Sequence, residues 1–397
     1  MNTEITLHTS DEIYVAAADS AETDKQLAEY VCTGTDDQDV IQAAVDSVYE
    51  RTEPERRGAR IILLPGNYYI DAFPRANANG RVAIMVRSET NRYAHLAILI
   101  TGAEHAESTF VHVTEKAYDS VGENESCSVF GCEKHNWNHH VFKDIYVTVF
   151  HSQKNIVCFD GRMMGAMGLR RCKCLCDSRG SYLNVKTPLP VEGFVAFMGT
   201  YGSNNMWEEK WEICQAEGFG QGFAVGSEHL LMHKCAALFG RYGFTFNNYP
   251  CNFGVVAHPM TLIGCIDEAN ANLWKFGKNR FKQCINAYNT SFEIFPRWFE
   301  LDGHYAREER PGDYCGNIDY VCNQGCDTKN DPTQKFWEEG SGINFRTVNN
   351  THKAFCSTEE RLSYAANIGQ EVFDTDLNKK LIYTGKLWVD AMGVPAE

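Results

Sequence analysis

Carboxylates that follow a series of cysteines are the residues best suited to chemistry in this chain. The third residues after Cys174, Cys214, Cys235 and Cys265 are, in order, Asp177, Glu217, Leu238 and Glu268. Asp267 stands beside the last of them. Two carboxylates about 6.5–9.5 Å apart can hydrolyse a glycosidic bond with inversion, one as general acid and the other as the base that activates water. If Glu217 and Glu268 lie two coils apart on stacked strands, they are separated by roughly 9 to 10 Å. The spacing predicts these glutamates as the catalytic pair and the two aspartates as further candidates, against the alternative of solvated turn residues.

Aromatic side chains near these carboxylates are candidates for holding a sugar. An aromatic ring offers an apolar face on which the C–H face of a pyranose can pack. The segment Asp160-Gly161-Arg162 reads as a tight turn with an aspartate–arginine contact, and it is a further candidate for binding a sugar. For all of these residues the alternative is packing against the strands. The aromatic candidates are Trp207, Trp211, Tyr242 and Trp274.

Clustered cysteines and histidines raise the question of a metal. Cys172, Cys174 and Cys176 form the first trio, and alternate residues of a strand share a face. Because no second Cys or His pair stands nearby at a usual zinc spacing, we predict that this trio is buried core. For the second trio a metal or a disulfide stays open, and the histidines are predicted to occupy a polar turn. We expect no metal and no cofactor. The groups are Cys172, Cys174 and Cys176, then Cys315, Cys322 and Cys326, then His135, His139 and His140.

The composition is that of a folded, acidic protein. Apolar residues make up 44% of the 397 residues, and 52 acids against 37 bases give a formal charge of −15. Such a charge repels a phosphate backbone, which makes nucleic acid an unexpected partner. The first residues lack a basic start and an apolar core, and no apolar run has the length of a membrane span. We expect synthesis in a cytoplasm, no membrane contact and reduced thiols.

The first informative stretch predicts the plugged end of a β-solenoid. Apolar residues recur at helical spacing in residues 34–48, behind an Asp/Thr cluster that can cap a helix. Residues 60–70 then read as a strand, a Pro-Gly turn and a second strand. A helix at this place covers apolar surface and strand edges that the first coil would otherwise leave bare.

These residues carry a resemblance to a known superfamily. TGTDDQDVIQAAVDSV and RIILLPGNYYI resemble the opening of the pectate-lyase-like proteins, and VAAADSAETDKQLAEYVCTG resembles a lead-in of tail-associated members from phages and prophages. The resemblance covers roughly the first 75 residues and implies a right-handed parallel β-helix. It implies no reaction, because lyases, hydrolases, epimerases and adhesins share the fold. The NTDG, GHG and RIK segments of polygalacturonases are absent, and no pectate-lyase calcium cluster is identifiable.

Farther along, cysteines predict the repeat of the coils. Cys214, Cys235, Cys265 and Cys284 each precede a short apolar strand at steps of 21, 30 and 19 residues, and Cys174 is expected to begin an equivalent earlier coil. Small thiols suit the narrow interior of a solenoid. We therefore predict a lead-in with capping helix and first coil over 1–75, a parallel β-helix over 76–310, and an irregular loop region over 311–365.

The last predicted segment, 366–397, alternates apolar and polar residues around a Thr-Gly turn. It reads as a small two-stranded β-ribbon in which Tyr383 and Trp388 are cross-strand partners. It closely resembles the tail piece at the end of many phage and prophage tail proteins, which implies a virion location, a homotrimer and contacts with other tail proteins. An isolated hairpin is marginal in water, so we expect it to dock.

Three functions follow from these observations. The first is a phage or prophage tail protein that binds bacterial surface polysaccharide and, in its catalytic version, depolymerises it. The second is a stand-alone cytoplasmic hydrolase or lyase on the same fold, with an oligosaccharide as substrate. The third is a structural tail protein or adhesin without catalysis. Both ends of the chain favour the first or the third.

Overall fold

The structure is a computed structural model, and it is mostly β. The chain divides into two compact units. Unit 1 contains residues 1–177 and 193–200, and unit 2 contains residues 178–192 and 201–397. The structure describes residues 11–51, 58–87, 97–103, 108–134, 139–150, 153–177, 188–199, 210–225, 230–246, 259–270, 275–276, 284–288, 290–294, 314–318, 320–321, 345–346, 355–363 and 371–396.

Unit 1 begins with two strands that alternate with two helices and continues mainly as strands. Its elements are β1 (Asp11–Ala16), α1 (Glu22–Leu27), β2 (Tyr30–Val31), α2 (Asp37–Arg51), β3 (Gly58–Leu63), β4 (Gly66–Ile70), β5 (Arg75–Asn77), β6 (Gly80–Val86), β7 (Ala97–Gly102), β8 (Thr109–Val113), α3 (Glu115–Asp119), β9 (Ser126–Cys132), β10 (His139–Lys143), β11 (Tyr146–Val149), β12 (Asn155–Asp160), β13 (Ala166–Arg170), β14 (Lys173–Cys176) and β15 (Val195–Met198).

Unit 2 contains the remaining strands and one helix. Its elements are β16 (Lys210–Glu212), β17 (Gln215–Glu217), β18 (Gln221–Val225), β19 (Leu231–His233), β20 (Ala236–Leu238), β21 (Tyr242–Phe246), β22 (Pro259–Ile263), β23 (Ile266–Asn270), β24 (Lys275–Phe276), β25 (Cys284–Tyr288), β26 (Thr290–Ile294), β27 (Tyr314–Ile318), β28 (Tyr320–Val321), β29 (Phe345–Arg346), β30 (Phe355–Cys356), α4 (Thr358–Ser363), β31 (Glu371–Asp374), β32 (Lys379–Tyr383) and β33 (Trp388–Asp390).

In each unit, consecutive strands visit three parallel sheets in turn. In unit 1, sheet A1 has the order β2-β1-β3-β7-β10-β13, sheet B1 the order β4-β8-β11-β14, and sheet C1 the order β5-β6-β9-β12-β15. In unit 2, sheet A2 runs β16-β19-β22-β25, sheet B2 runs β17-β20-β23-β26-β27, and sheet C2 runs β18-β21-β24. Only β5 and β27 join these sheets antiparallel. The arrangement is compatible with the predicted all-β parallel solenoid.

The corner between the first and second sheet of each coil is the most regular feature. In five coils one residue there has φ between 50° and 60°, the left-handed region, and the next residue is buried. In four coils that next residue is a cysteine whose thiol donates to the carbonyl of the residue two positions earlier. The small thiol fills the corner and pairs a carbonyl that would otherwise be buried without a partner. The four corner cysteines are Cys172, Cys214, Cys235 and Cys265.

This corner confirms three positions of the predicted cysteine repeat and corrects two others. Cys284 begins β25 and pairs with Pro259 in sheet A2, so it is not a corner cysteine. In the coil of β14 the corner residue is Cys172, and Cys174 lies two positions beyond it. The prediction failed because a small thiol fits any narrow interior site, whereas strand pairing sets the register.

Aromatic side chains stack along the interior, one from each coil. In unit 1 the rings of Phe130, Phe159 and Phe197 lie 5.1 and 5.4 Å apart and nearly parallel. In unit 2, Phe223 and Phe244 repeat this at 5.1 Å. All five are fully buried, and burying such a side chain contributes about 1.5–3 kcal/mol.

The C-terminal ribbon has four strands, two more than predicted. Strands β31, β32 and β33 pair antiparallel, and β30 adds a parallel edge. Tyr383 and Trp388 are direct cross-strand partners with ring centroids 5.2 Å apart, which confirms that pairing. Trp388 packs with Val372 and Leu381 in a small core of the ribbon.

Candidate functional site

The predicted carboxylate pair lies in one register row of sheet B2. Glu217 pairs with Leu238, and Leu238 pairs with Glu268, so the two glutamates are two strands apart as expected. Each of these residues is half-buried, and each follows a fully buried neighbour, which places the row on the outer face. Strands spaced about 4.8 Å apart put the two α-carbons roughly 9.6 Å from each other. The Gln215 side-chain amide donates to Glu217 Oε1 at 2.5 Å and orients that carboxylate.

Asp267 faces the opposite side of the same strand. Its side chain is fully buried, and its Oδ1 accepts a hydrogen bond from Asn270 Nδ2 at 2.7 Å. Alternation along β23 sends Asp267 into the interior while Glu268 points outward. Its place inside the coil removes Asp267 from the residues that can reach a polysaccharide.

The buried carboxylate of Asp267 explains why position 243 is occupied by glycine. A Cβ at this position would collide with that carboxylate. We expect Gly243→Ala to lower the free energy of unfolding by about 1–3 kcal/mol through overpacking. Urea titration measures the effect. The matched control is Gly122→Ala, whose added Cβ would meet its nearest neighbour at 3.6 Å, and equal midpoints for both variants would contradict the explanation.

Asp177 stands outside the predicted row. The third residue after corner cysteine Cys172 is Leu175, which pairs with Thr148. Asp177 is exposed just beyond the end of β14, and its backbone N–H donates to the carbonyl of Val149 at 3.0 Å. The prediction counted from Cys174 instead of Cys172, and this two-residue offset moved Asp177 past the end of the strand.

Two predicted sugar-binding aromatics belong to the core. Trp211 is fully buried, with its ring 6.2 Å from that of Phe223. Tyr242 is 3% exposed and lies under the guanidinium of Arg241. Neither presents a face on which a sugar can stack. Trp207 and Trp274 lie outside the described residues.

Asp160 and Arg162 make the contact that the sequence predicts. Arg162 Nε donates to Asp160 Oδ1 at 2.8 Å, and Arg162 Nη2 donates to Oδ2 at 2.7 Å. The hydroxyl of Ser128 and the backbone N–H of Arg162 complete four hydrogen bonds to this buried carboxylate. Because these bonds occupy both oxygens, the pair holds the turn after β12 and leaves little capacity for a sugar hydroxyl.

The cysteine trio at 172–176 is buried, as predicted, and no metal-ligand cluster occurs among the residues that the structure describes. Burial raises the pKa of the Cys174 thiol, and it raises the pKa of Cys127 to about 12. Cys322, Cys326 and His135 lie outside the described residues, and only the backbone of Cys315, within β27, is described.

His139 and His140 begin strand β10, so their predicted polar turn is wrong. The imidazole of His140 is fully buried on the same side of the strand as Phe142, and neither of its ring nitrogens has a hydrogen-bond partner. The strand extends to include the histidines because all five of its residues pair with β13.

Sequence reasoning missed a polar network on the outer face of sheet B1. Asn67 Nδ2 donates to Asp19 Oδ2 at 2.5 Å, and Asn67 Oδ1 lies 2.7 Å from His112 Nε2. On the other side of the ring, His112 Nδ1 lies 2.6 Å from Thr148 Oγ1. Because the Asn67 amide donates to Asp19, its oxygen accepts, so His112 carries its proton on Nε2 and accepts from Thr148.

The charge states of Asp19 and His112 follow from their surroundings. Burial raises the pKa of Asp19, but hydrogen bonds from Asn67 outweigh burial and hold the pKa below its usual value. Burial lowers the pKa of His112, so the ring stays neutral at pH 7. The alternation of NYYI and TFVHV, which sends Asn67, Tyr69, Phe110 and His112 to one face, is the signal that could have revealed this patch.

A cavity of about 430 Å³ opens beside the network. Tyr69, His112 and Phe150 are the aromatic residues of its lining, and the remaining lining residues are polar. The His112 ring stacks against Tyr69 at 5.3 Å and Phe110 at 6.0 Å. The polar lining residues are Asp71, Thr114, Glu115 and Lys116.

No family model matches this chain. No curated protein matches it either. Among solved structures it is similar to ORF18 of Geobacillus virus E2, with 10% identical residues, 90% of this chain and 82% of that chain covered, and a TM-score of 0.19. A TM-score of this size does not establish a shared fold. Within the residues that the structure describes, no helix is both long and apolar enough to span a membrane.

The two outer faces can do different chemistry. In the row of sheet B2, Glu217 and Glu268 lie at a separation that leaves room for a water molecule and a sugar bond. Glu293 of β26 pairs with Glu268 and is the next position of the same row. The cavity on sheet B1 offers fixed aromatic rings beside hydrogen-bonding groups, and its histidine is neutral and fully bonded. It is therefore a candidate binding surface, whereas the B2 row is the candidate catalytic one.

Proposed function

We propose that this chain is a right-handed parallel β-helix of a phage or prophage tail, which binds a bacterial surface polysaccharide and hydrolyses it with Glu217 and Glu268. The observation that carries the proposal is the register that puts both glutamates in one outward row, two strands apart. Two strand spacings put their α-carbons about 9.6 Å apart, close to the roughly 9.5 Å upper limit for the carboxyl groups of inverting glycosidases. One glutamate would protonate the leaving oxygen and the other would activate water.

The N-terminal motif behind the superfamily resemblance has a clear structural role. The carboxylate of Asp37 accepts from the backbone N–H groups of Thr33 and Gly34 at 3.2 and 3.0 Å, and from Tyr69 at 2.9 Å. It thereby fastens the start of α2 to strand β4. An aspartate at this place in the GTDDQ segment is needed for the cap and not for chemistry, in agreement with its assignment to the capping helix.

The C-terminal ribbon supports the setting in a tail. Besides its tail-piece sequence, the ribbon leaves apolar side chains exposed, among them Met392 at 86% and Val394 at 53% exposure. Exposed apolar groups of this kind favour association. We propose that the ribbon docks in a homotrimer, with other tail proteins as further partners, and sedimentation of the full chain tests the trimer.

The proposed hydrolysis is tested by reducing-end release from a panel of bacterial surface polysaccharides. We expect Glu217→Gln and Glu268→Gln each to lower kcat by at least about 100-fold, the scale of general acid–base catalysis. The matched control is Glu212→Gln, because Glu212 lies in sheet A2 and pairs with Lys210 at the surface. Full activity of either Glu217→Gln or Glu268→Gln would refute the assignment of the pair. A trimer that binds but never cleaves would identify a non-catalytic tail protein.

A further inference from the structure

The cavity on sheet B1 has the size and the divided lining of a sugar-binding site. Its volume of about 430 Å³ falls within the range of about 300–1,000 Å³ for small-molecule sites. Phe150, at 36% exposure, is one of the exposed large apolar side chains of unit 1. Together with Tyr69 and His112, it gives the cavity an apolar wall next to carboxylate, hydroxyl and ammonium groups.

The aromatic wall is rigid before any ligand arrives. Both ring nitrogens of His112 are hydrogen-bonded, and its ring is stacked between Tyr69 and Phe110. The backbone N–H of Tyr69 is itself held by the buried carboxylate of Asp37. Binding a ligand therefore costs little ordering of these side chains, which is the advantage of a preorganised site.

The polar wall is anchored in the same way. Asp71 accepts from Thr114 Oγ1 at 2.5 Å and from the backbone N–H of Asp36 at 2.9 Å. The ammonium of Lys116 lies 3.3 Å from Asp36 and 3.9 Å from Asp71, and its side chain is 65% exposed. Asp71 and Glu115 place two carboxylates against one ammonium in the lining, so the cavity disfavours an anionic ligand.

From these features we infer that unit 1 carries a second, non-catalytic binding site that takes one neutral pyranose unit of a glycan. The C–H face of the sugar would lie on Tyr69 and Phe150, and its hydroxyls would bond with Glu115 and Lys116. The inference rests on the proposed function only for the class of ligand. Its residues belong to unit 1, and the glutamates of sheet B2 have no part in it.

Saturation-transfer NMR on the full chain tests the site with methyl α-glucopyranoside, methyl β-galactopyranoside and methyl N-acetyl-β-glucosaminide, and with methyl glucuronide as the anionic probe. We expect at least one neutral pyranoside to bind, with the strongest transfer at ring C–H protons. Phe150→Ala and Tyr69→Ala should each weaken binding roughly tenfold, whereas Tyr69→Phe should retain it. Tyr49→Ala is the control, since Tyr49 is a half-buried tyrosine of α2 outside the cavity.

The outcomes separate this inference from the proposed function. No transfer to any neutral pyranoside, equal binding by Phe150→Ala, or preference for methyl glucuronide would overturn the site. Binding that disappears in the Glu217→Gln, Glu268→Gln double variant would place the sugar on sheet B2 and also overturn it, while leaving the proposed function intact. Binding that depends on Phe150 in a protein that cleaves no polysaccharide would uphold the site and count against the proposed hydrolysis.

Discussion

Replacing Asp374 by alanine is expected to unfold the C-terminal ribbon. The carboxylate of Asp374 accepts from Arg361 Nε at 2.7 Å, and both side chains are fully buried. It also accepts from the hydroxyl of Thr358 and from the backbone N–H groups of Asp376 and Leu377. Removing it strands the buried guanidinium, which costs about 3–5 kcal/mol. Since a small ribbon has little stability to lose, Asp374→Ala should make residues 355–396 sensitive to protease.

The matched control lies in the same ribbon. Lys380 and Glu371 form an ion pair at 2.6 Å with side chains 60% and 53% exposed. An exposed pair contributes about 0–1 kcal/mol, so Glu371→Ala should leave protease resistance nearly unchanged. Equal resistance of the two variants would show that the Arg361–Asp374 pair does not hold the ribbon together.

Acid is expected to destabilise unit 1 through His140. Burial lowers the pKa of this imidazole to about 3, and repulsion from His139 adds to the effect. An unfolded histidine has a pKa of about 6.5, so below that pH the unfolded chain binds a proton that the folded chain does not. Stability should therefore fall as the pH drops from about 6.5 toward 3, by about 2 kcal/mol between pH 7 and pH 5 from this residue alone.

Urea unfolding at pH 7 and pH 5 measures this loss, with His140→Leu as the test variant. At pH 7 the variant should be no less stable, because both His140 ring nitrogens are buried without partners. At pH 5 it should lose less stability than the parent chain. Burial also lowers the pKa of His112 and His139, so part of the pH dependence will remain. The surface variant His233→Gln should behave like the parent, and identical acid losses in all three proteins would contradict the role of His140.

The sequence patterns that survive folding are those set by a local rule. The capping helix, predicted within 34–48, occupies Asp37–Arg51 because its apolar spacing is a local pattern. The Glu217–Leu238–Glu268 row was predictable because corner cysteines precede all three strands at the same distance. Where a cysteine stands at another position of the coil, as Cys174 and Cys284 do, the same counting fails.

Other assignments could not be made from local spacing. Trp211 reads as a surface aromatic until the coil closes and turns its face inward. The polar network on sheet B1 needs Asp19, Asn67, His112 and Thr148, which come from four separate stretches of chain and meet only when strands stack. Nothing in the spacing of these residues announces their contact, because the lengths of the intervening segments vary.

The pairing of β17, β20 and β23 has a consequence for how a catalytic distance can change. The α-carbons of residues on one register row are separated by whole multiples of the strand spacing, about 4.8 Å. A glutamate at Leu238 in place of Glu217 would halve the separation from Glu268, to near the roughly 5–5.5 Å of retaining glycosidases. On such a scaffold, the choice between inversion and retention of anomeric configuration changes in steps of one strand, and the two substitutions Glu217→Gln and Leu238→Glu make one such step.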